Sequence, residues 1–293
     1  MVTDMPLATG SLLLPRRPAG VELETISREP AEPAPNRPPL LFVHGLAGAA
    51  WIFQEAWLDR AADAGWSAHA LSLRAHGRSG GAEQRWRVTL RDYAHDVVQV
   101  ASGLPVPPVI VAHSLGCVVA SRVIARHRVP AAVMLVPVGV THGLGTLLHN
   151  VPRIPGQVAR MVAGQPLRLT ADDILNVLAS SDPAQAQSCI DRLDSEPPLP
   201  QYQLAFHAPA GRPMGNPPVL VYGAEHDHLV PHGDAERTAA YYGTVVRDLP
   251  GTGHYVMLDA ARDAVLDTVL DDLTEALGLP GPGEDPTPAR PPQ

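Results

Sequence analysis

Val109-Ile110-Val111-Ala112-His113-Ser114-Leu115-Gly116-Cys117 is the stretch on which the reading of this chain turns. Its continuous apolar start predicts a short strand buried on both faces, as in a parallel sheet. The strand runs into small-x-Ser-x-Gly and then into an Ala- and Val-rich helical segment, Leu115–His127. That strand–turn–helix order is the context a nucleophile elbow requires. The turn is tight, so the residues two before and two after the serine have to be small, and Ala112 and Gly116 are. Ser114 would project from a strained turn at a helix N-terminus, where the dipole and open N–H groups favour negative charge. A serine that merely caps the helix is the plainer alternative.

The same alternation extends to both sides. Leu40-Leu41-Phe42-Val43 is a second unbroken apolar run, ending in His44-Gly45. Trp51–Ala64 has helical spacing, Ser67–Leu73 reads as a strand, and Thr89–Ser102 reads as a helix with Thr89 and Asp92 in capping-box positions. Downstream, Ala131–Val136, Val219–Tyr222 and Val245–Leu249 predict strands, with helices over Asp234–Tyr242 and Asp259–Leu277. Alternating β and α segments imply an α/β fold with a mostly parallel central sheet flanked by helices on both faces. Near the start, Ser11–Pro15 and Val21–Ile26 around Pro18-Ala19-Gly20 predict a β-hairpin, and the Pro-rich Glu29–Pro39 a surface loop.

Residues 139–210 interrupt the pattern with no strand-like run. Ala186, Cys189, Ile190 and Leu193 fall at helical spacing, while Thr170 before Asp172-Asp173 and Ser181-Asp182-Pro183 are helix starts. A strandless connection of roughly 70 residues is far longer than usual. It predicts a helical cap inserted into a core domain made of 1–138 and 211–278; plain crossover helices are the alternative. Residues 279–293, mostly Pro and Gly with scattered charges, predict a disordered tail.

Three further segments carry candidate chemistry. After the strand at 40–43, the loop His44-Gly45-Leu46 places a backbone N–H where an oxyanion would need one. The N–H groups of Leu46 and Leu115 are the candidate pair. After the strand at 219–222, Gly223 is followed four residues on by Asp227, the candidate acid to orient a histidine; Glu225 and Asp234 are rivals. After the strand at 245–249, His254 follows Gly253 on a strand-to-helix loop, placed to act as general base and then general acid. The chain has 13 histidines, so what distinguishes His254 is the order Ser114, Asp227, His254. His44, Trp51, His113 and Tyr255 are candidates to contact substrate. So are Phe53, His142 and His149, with core packing the alternative for Trp51 and Phe53, and packing under the elbow, without proton transfer, the alternative for His113. Cys117 reads as core packing. The His226-Asp227-His228…His232 cluster suggests a metal at first sight, but neighbours on one loop rarely converge on one ion and no HExxH helix exists, so no metal is assigned.

Composition narrows the classes. The chain has 293 residues, 45% of them hydrophobic, enough for a sizeable core. Every one of the 22 basic residues is Arg. Without Lys there is neither a lysine Schiff base nor a Walker A loop. A net charge of −8 argues against nucleic acid or an anionic membrane as partner. Two Cys make no disulfide framework. The start lacks the pattern of a signal peptide, and no run of 18 apolar residues suggests a membrane span. These readings predict a cytoplasmic protein without a cofactor, and they leave its oligomeric state open.

Taken together, His44-Gly45, Arg74-Ala75-His76-Gly77-Arg78-Ser79, Ala112-His113-Ser114-Leu115-Gly116, Gly223…Asp227…Pro231 and Gly253-His254 resemble the α/β-hydrolase fold superfamily, in its esterase- and lipase-like group. The likeness covers roughly Pro39 to Gly278, with 139–210 matching only in position. The turn at 74–79 is similar to the family's RGHGRS turn, with Ala75 in place of a Gly, and reads as structural. The resemblance implies a serine hydrolase cleaving an ester of a fairly apolar small molecule through an acyl-enzyme. A serine at position 114 argues against relatives whose nucleophile is an aspartate. The alternatives are a thioesterase or acyltransferase using the same three residues, and a ligand-binding protein on this fold.

Overall fold

The computed structural model describes residues 20–280 except 33, 35, 171, 175–186 and 188. Seven strands form one sheet: β1 Thr25–Arg28, β2 Leu40–Val43, β3 Ala68–Leu71, β4 Val109–His113, β5 Ala132–Leu135, β6 Val219–Ala224 and β7 Val246–Leu249. Their order is β1-β3-β2-β4-β5-β6-β7, and all pairs are parallel except β1 with β3. The apolar runs predicted as inner strands are inner strands. β2, β4, β5 and β6 are buried along their whole length, which explains why they lack polar alternation.

Successive side chains of the inner strands feed two separate cores. Leu40, Phe42, Val109 and Val111 pack with Phe53, Trp57 and Leu266, from helices Trp51–Gln54, Trp57–Asp63 and Arg262–Ala276. Leu41, Val43, Ile110 and Ala112 pack with Tyr93, Val119 and Ala235, from helices Leu90–Ala101, Leu115–Ile124 and His232–Tyr242. Helices therefore cover both faces.

Several boundaries depart from the sequence expectations. The single helix expected over 51–64 is broken at Ala56, whose φ of −145° leaves the helical region. The C-terminal helix starts at Arg262 rather than Asp259, because the Asp259 carboxylate turns back to accept the Gly253 N–H at 2.7 Å. The strand expected at 21–26 lies at 25–28 and pairs with β3. Its expected hairpin partner Ser11–Pro15 lies outside the described residues, as do Ser181-Asp182-Pro183, Ala186 and the tail from 281.

Within 139–210 the described structure is helical: Leu144–Asn150, Pro155–Val162 and Pro198–Phe206, plus one isolated bridge between Leu167 and Glu196. Thr170 and Asp173 cap a further turn reciprocally, Thr170 N–H donating to Asp173 Oδ2 at 2.9 Å and Asp173 N–H to Thr170 Oγ at 3.2 Å. Among the described residues no helix is long and apolar enough to cross a membrane.

Candidate active site

Ser114 sits between the last residue of β4 and the first turn of helix Leu115–Ile124. Its φ of 52° and ψ of −118° form the strained turn the sequence predicts. Close backbone approach makes the turn possible. A Cβ on Gly116 would lie 2.6 Å from the Val43 carbonyl oxygen, and one on Gly45 would lie 2.9 Å from Ser114 Cβ and 2.7 Å from His113 Nδ1. Both positions accept glycine only, and the 45–46 backbone is thereby brought against the serine.

Two loops at the same end of the sheet meet Ser114. His254 Nε2 lies 3.0 Å from Ser114 Oγ, and His254 Nδ1 lies 2.7 Å from Asp227 Oδ2. With Nδ1–H donating to the carboxylate, Nε2 is left to accept the serine O–H. The other Asp227 oxygen accepts the N–H groups of Leu229 at 2.9 Å and Val230 at 2.8 Å, fixing the carboxylate. The His254 carbonyl in turn accepts His113 Nε2–H at 2.8 Å. Burial, reinforced by the charge at His254, pushes the His113 pKa well below the ordinary imidazole value, so His113 is neutral. Its ring lies 5.5 Å from that of Tyr255, stacked at 27°. Ser114 and His254 are 3% and 2% exposed, so solvent reaches them poorly except through the cavity in front of them.

That cavity is lined by Leu46, His113, Ser114, His254 and Tyr255 on the core side. Residues 139–210 supply an apolar wall that includes Leu147, Ile154, Met161, Leu167 and Leu204. The N–H groups of Leu46 and Leu115 donate to no acceptor among the described residues.

The structure therefore brings Ser114, Asp227, His254, Leu46, Leu115, His113 and Tyr255 to one place, and separates other candidates from it. His44 is wholly buried and is not a cavity wall: its Nδ1–H donates to the Gly45 carbonyl and its Nε2 accepts the Leu73 N–H at 2.9 Å, tying the loop after β2 to that after β3. Trp51 is not a wall either, its ring being covered by the Arg192 guanidinium at 4.0 Å. Phe53 is core, against Phe42. His142 is not a wall, and His149 donates to the His228 carbonyl. The rival acids are used elsewhere. Glu225 accepts the Gly251 N–H, and Asp234 binds Gly139 N–H, Thr146 and Arg237. Cys117 donates to the Ala112 carbonyl in the core, where burial pushes its thiol pKa well up. Among the described residues no three His, Cys, Asp or Glu side chains form a metal-holding group.

Sequence reading missed Glu196, which is buried with its carboxylate on the Ala47 N–H, and Asp259, which secures the loop carrying His254. Glu196 has no local signature. Its side-chain partners lie 103, 120 and 149 residues away in the chain.

The model of the alpha/beta hydrolase family matches residues 40–268. No curated protein matches the chain. Among solved structures, the enol-lactonase of Burkholderia xenovorans LB400 aligns with a TM-score of 0.61 and 19% identity, over 87% of this chain and 97% of its own. The monoacylglycerol lipase of Paleococcus ferrophilus aligns at 0.64 and 17%, over 87% and 99%. A thermophilic esterase from Thermogutta terrifontis aligns at 0.63 and 15%, over 87% and 94%. At these identities the likeness is one of fold.

Proposed function

As the chain belongs to the alpha/beta hydrolase family, we propose that it is a serine hydrolase that cleaves carboxylic esters of fairly apolar small molecules through an acyl-enzyme. The observation that carries this reading is the continuous Ser114–His254–Asp227 hydrogen-bond chain opening onto an apolar cavity. The names of three of the fold neighbours, a lactonase, a lipase and an esterase, agree with ester chemistry.

In this mechanism Ser114 Oγ attacks the ester carbonyl as His254 Nε2 takes its proton, and Asp227 stabilises the imidazolium from the Nδ1 side. The carbonyl oxygen becomes an oxyanion held by the N–H groups of Leu46 and Leu115. Collapse breaks the C–O bond, His254 returns the proton to the leaving alcohol, and water repeats the cycle to release the acid. Residues 139–210 act as the cap whose apolar wall selects the substrate.

The test is labelling of the intact chain with a fluorophosphonate, mapping of the modified residue, and turnover of p-nitrophenyl esters and matched thioesters of graded length. We expect the label on Ser114, and Ser114→Ala lowers ester turnover by about four to six orders of magnitude. A label elsewhere, or turnover unchanged in that variant, removes the assignment.

A further inference from the structure

Ala47 follows Leu46 in the loop after β2 and has φ 59°, a left-handed conformation that disfavours any residue with a Cβ. Such a residue persists where its surroundings hold it in place. The holding groups come from the far end of the 139–210 segment. Asp194 N–H donates to the Ala47 carbonyl at 2.8 Å, and Ala47 N–H donates to Glu196 Oε2 at 2.8 Å. Both backbone polar groups of Ala47 are thus tied to residues 194–196.

Glu196 is itself held from every side. It is 1% exposed. Tyr93 O–H donates to its Oε1 at 2.7 Å, and His76 Nε2 lies 3.1 Å from its Oε2. Its backbone pairs with Leu167, and Gln201 Nε2 donates to its carbonyl at 3.0 Å. Next to it, Asp194 Oδ2 accepts the Gly77 N–H at 2.6 Å. A helix of the core, the turn at 74–79 and the loop after β2 all converge on one carboxylate, which the 139–210 segment supplies. Stability alone is a poor reason for it, since well-packed apolar groups often serve as well or better than a buried ionic network.

We infer that Glu196 is a positioning residue for oxyanion stabilisation: by clamping Ala47 in its left-handed conformation it aims the adjoining Leu46 N–H at the oxygen of the tetrahedral intermediate. This rests on the serine-hydrolase reading. His76 and Tyr93 orient Glu196 and do not touch substrate. The device also couples the wall of the substrate cavity to the oxyanion loop, because both belong to the 139–210 segment.

The experiment compares wild type, Glu196→Gln and Glu196→Ala as intact chains, by steady-state ester hydrolysis and by hydrogen exchange at the Leu46 and Ala47 amides. Oxyanion donors act in the transition state, so Glu196→Ala lowers kcat by about 10–100-fold with KM nearly unchanged, less than the 10²–10³-fold of deleting a donor outright. Ala47 exchanges at least about tenfold faster once its acceptor is gone, while β4 amides stay protected. Glu196→Gln keeps one acceptor oxygen and the same volume. It recovers part of kcat, and it reads the same effect where the alanine variant does not fold. A folded Glu196→Ala with wild-type kcat, or with unchanged Ala47 exchange, overturns the clamp. A wild-type chain that neither hydrolyses esters nor takes the fluorophosphonate overturns the hydrolase reading instead, and the exchange measurement still shows whether Glu196 holds Ala47.

Discussion

Asp227 spends one carboxylate oxygen on two backbone N–H groups and the other on His254, so its role is orientation as much as charge. Asp227→Asn places an amide against Nδ1 and favours the wrong imidazole tautomer. Under the proposed mechanism it lowers kcat by about 10⁴-fold with little change in the unfolding midpoint; steady-state kinetics beside a thermal melt checks both. Ala75, where the resemblance leads one to look for Gly, has φ 66°. Left-handed alanine costs about 1–2 kcal/mol, and the extra unfolded-state freedom of glycine offsets part of that relief. Ala75→Gly should therefore raise stability by up to about 1 kcal/mol in urea unfolding, and a lowered midpoint would contradict the strain argument. The motif positions were readable because each combines a required side chain with a required backbone shape: small at 112, Gly at 116, Gly at 45. Glu196 was not readable, since nothing about an isolated glutamate between Ser195 and Pro197 says what it will meet.

The strands and most helices were legible in the chain because their signals are local. Continuous apolar runs gave the buried strands, and the Thr89–Asp92 capping box is present with both of its reciprocal bonds. Thr89→Ala removes the side-chain acceptor for the Asp92 N–H and should cost about 1 kcal/mol, measured as a fall in urea midpoint at constant m. The turn at 74–79 is held from outside itself. Arg74 binds the wholly buried Asp96 of helix Leu90–Ala101 through its guanidinium, and Asp96 Oδ2 also accepts the Arg74 N–H at 2.9 Å. Asp96→Ala leaves the buried Arg74 guanidinium only its longer 3.4 Å contact with Asp92 and should destabilise by up to about 3–5 kcal/mol; a variant within 1 kcal/mol of wild type, about the worth of one surface pair, would show the pair to be dispensable. What stayed illegible at this level were breaks set by partners elsewhere, such as Asp259 leaving its helix to serve the loop at 253–254.

Across the whole fold, three buried histidines give stability a pH dependence of two signs. Burial, then the charge of His76, lowers His44 to about 3, and burial with His254 lowers His113 well below its ordinary value. A depressed imidazole contributes stability that is present above the unfolded value of about 6.5 and is lost as pH falls toward the folded one. His76 runs the other way. Burial is the largest single influence and opposes its charge, but the charge and hydrogen bond of Glu196, the charge of Asp194 and the Arg74 carbonyl together outweigh it and raise the His76 pKa. Its contribution is present below about 6.5 and is lost as pH rises through the raised value. Urea midpoints taken from pH 4 to 8 should show the gap between wild type and His44→Gln shrinking toward acid, and the gap between wild type and His76→Gln shrinking toward alkali. Gaps independent of pH would rule out this account.

Chain order and local chemistry were enough to specify an α/β layer fold, the elbow at Ser114 and its likeness to a hydrolase family, because periodicity, turn sterics and the succession Ser, Asp, His are properties of short segments. Which imidazole reaches which oxygen, which aromatic rings face a cavity rather than a core, and which buried carboxylate steadies the loop beside Leu46 depend on contacts between segments more than a hundred residues apart. Those contacts exist once seven strands lie in register, since the sheet is what carries distant loops to one edge.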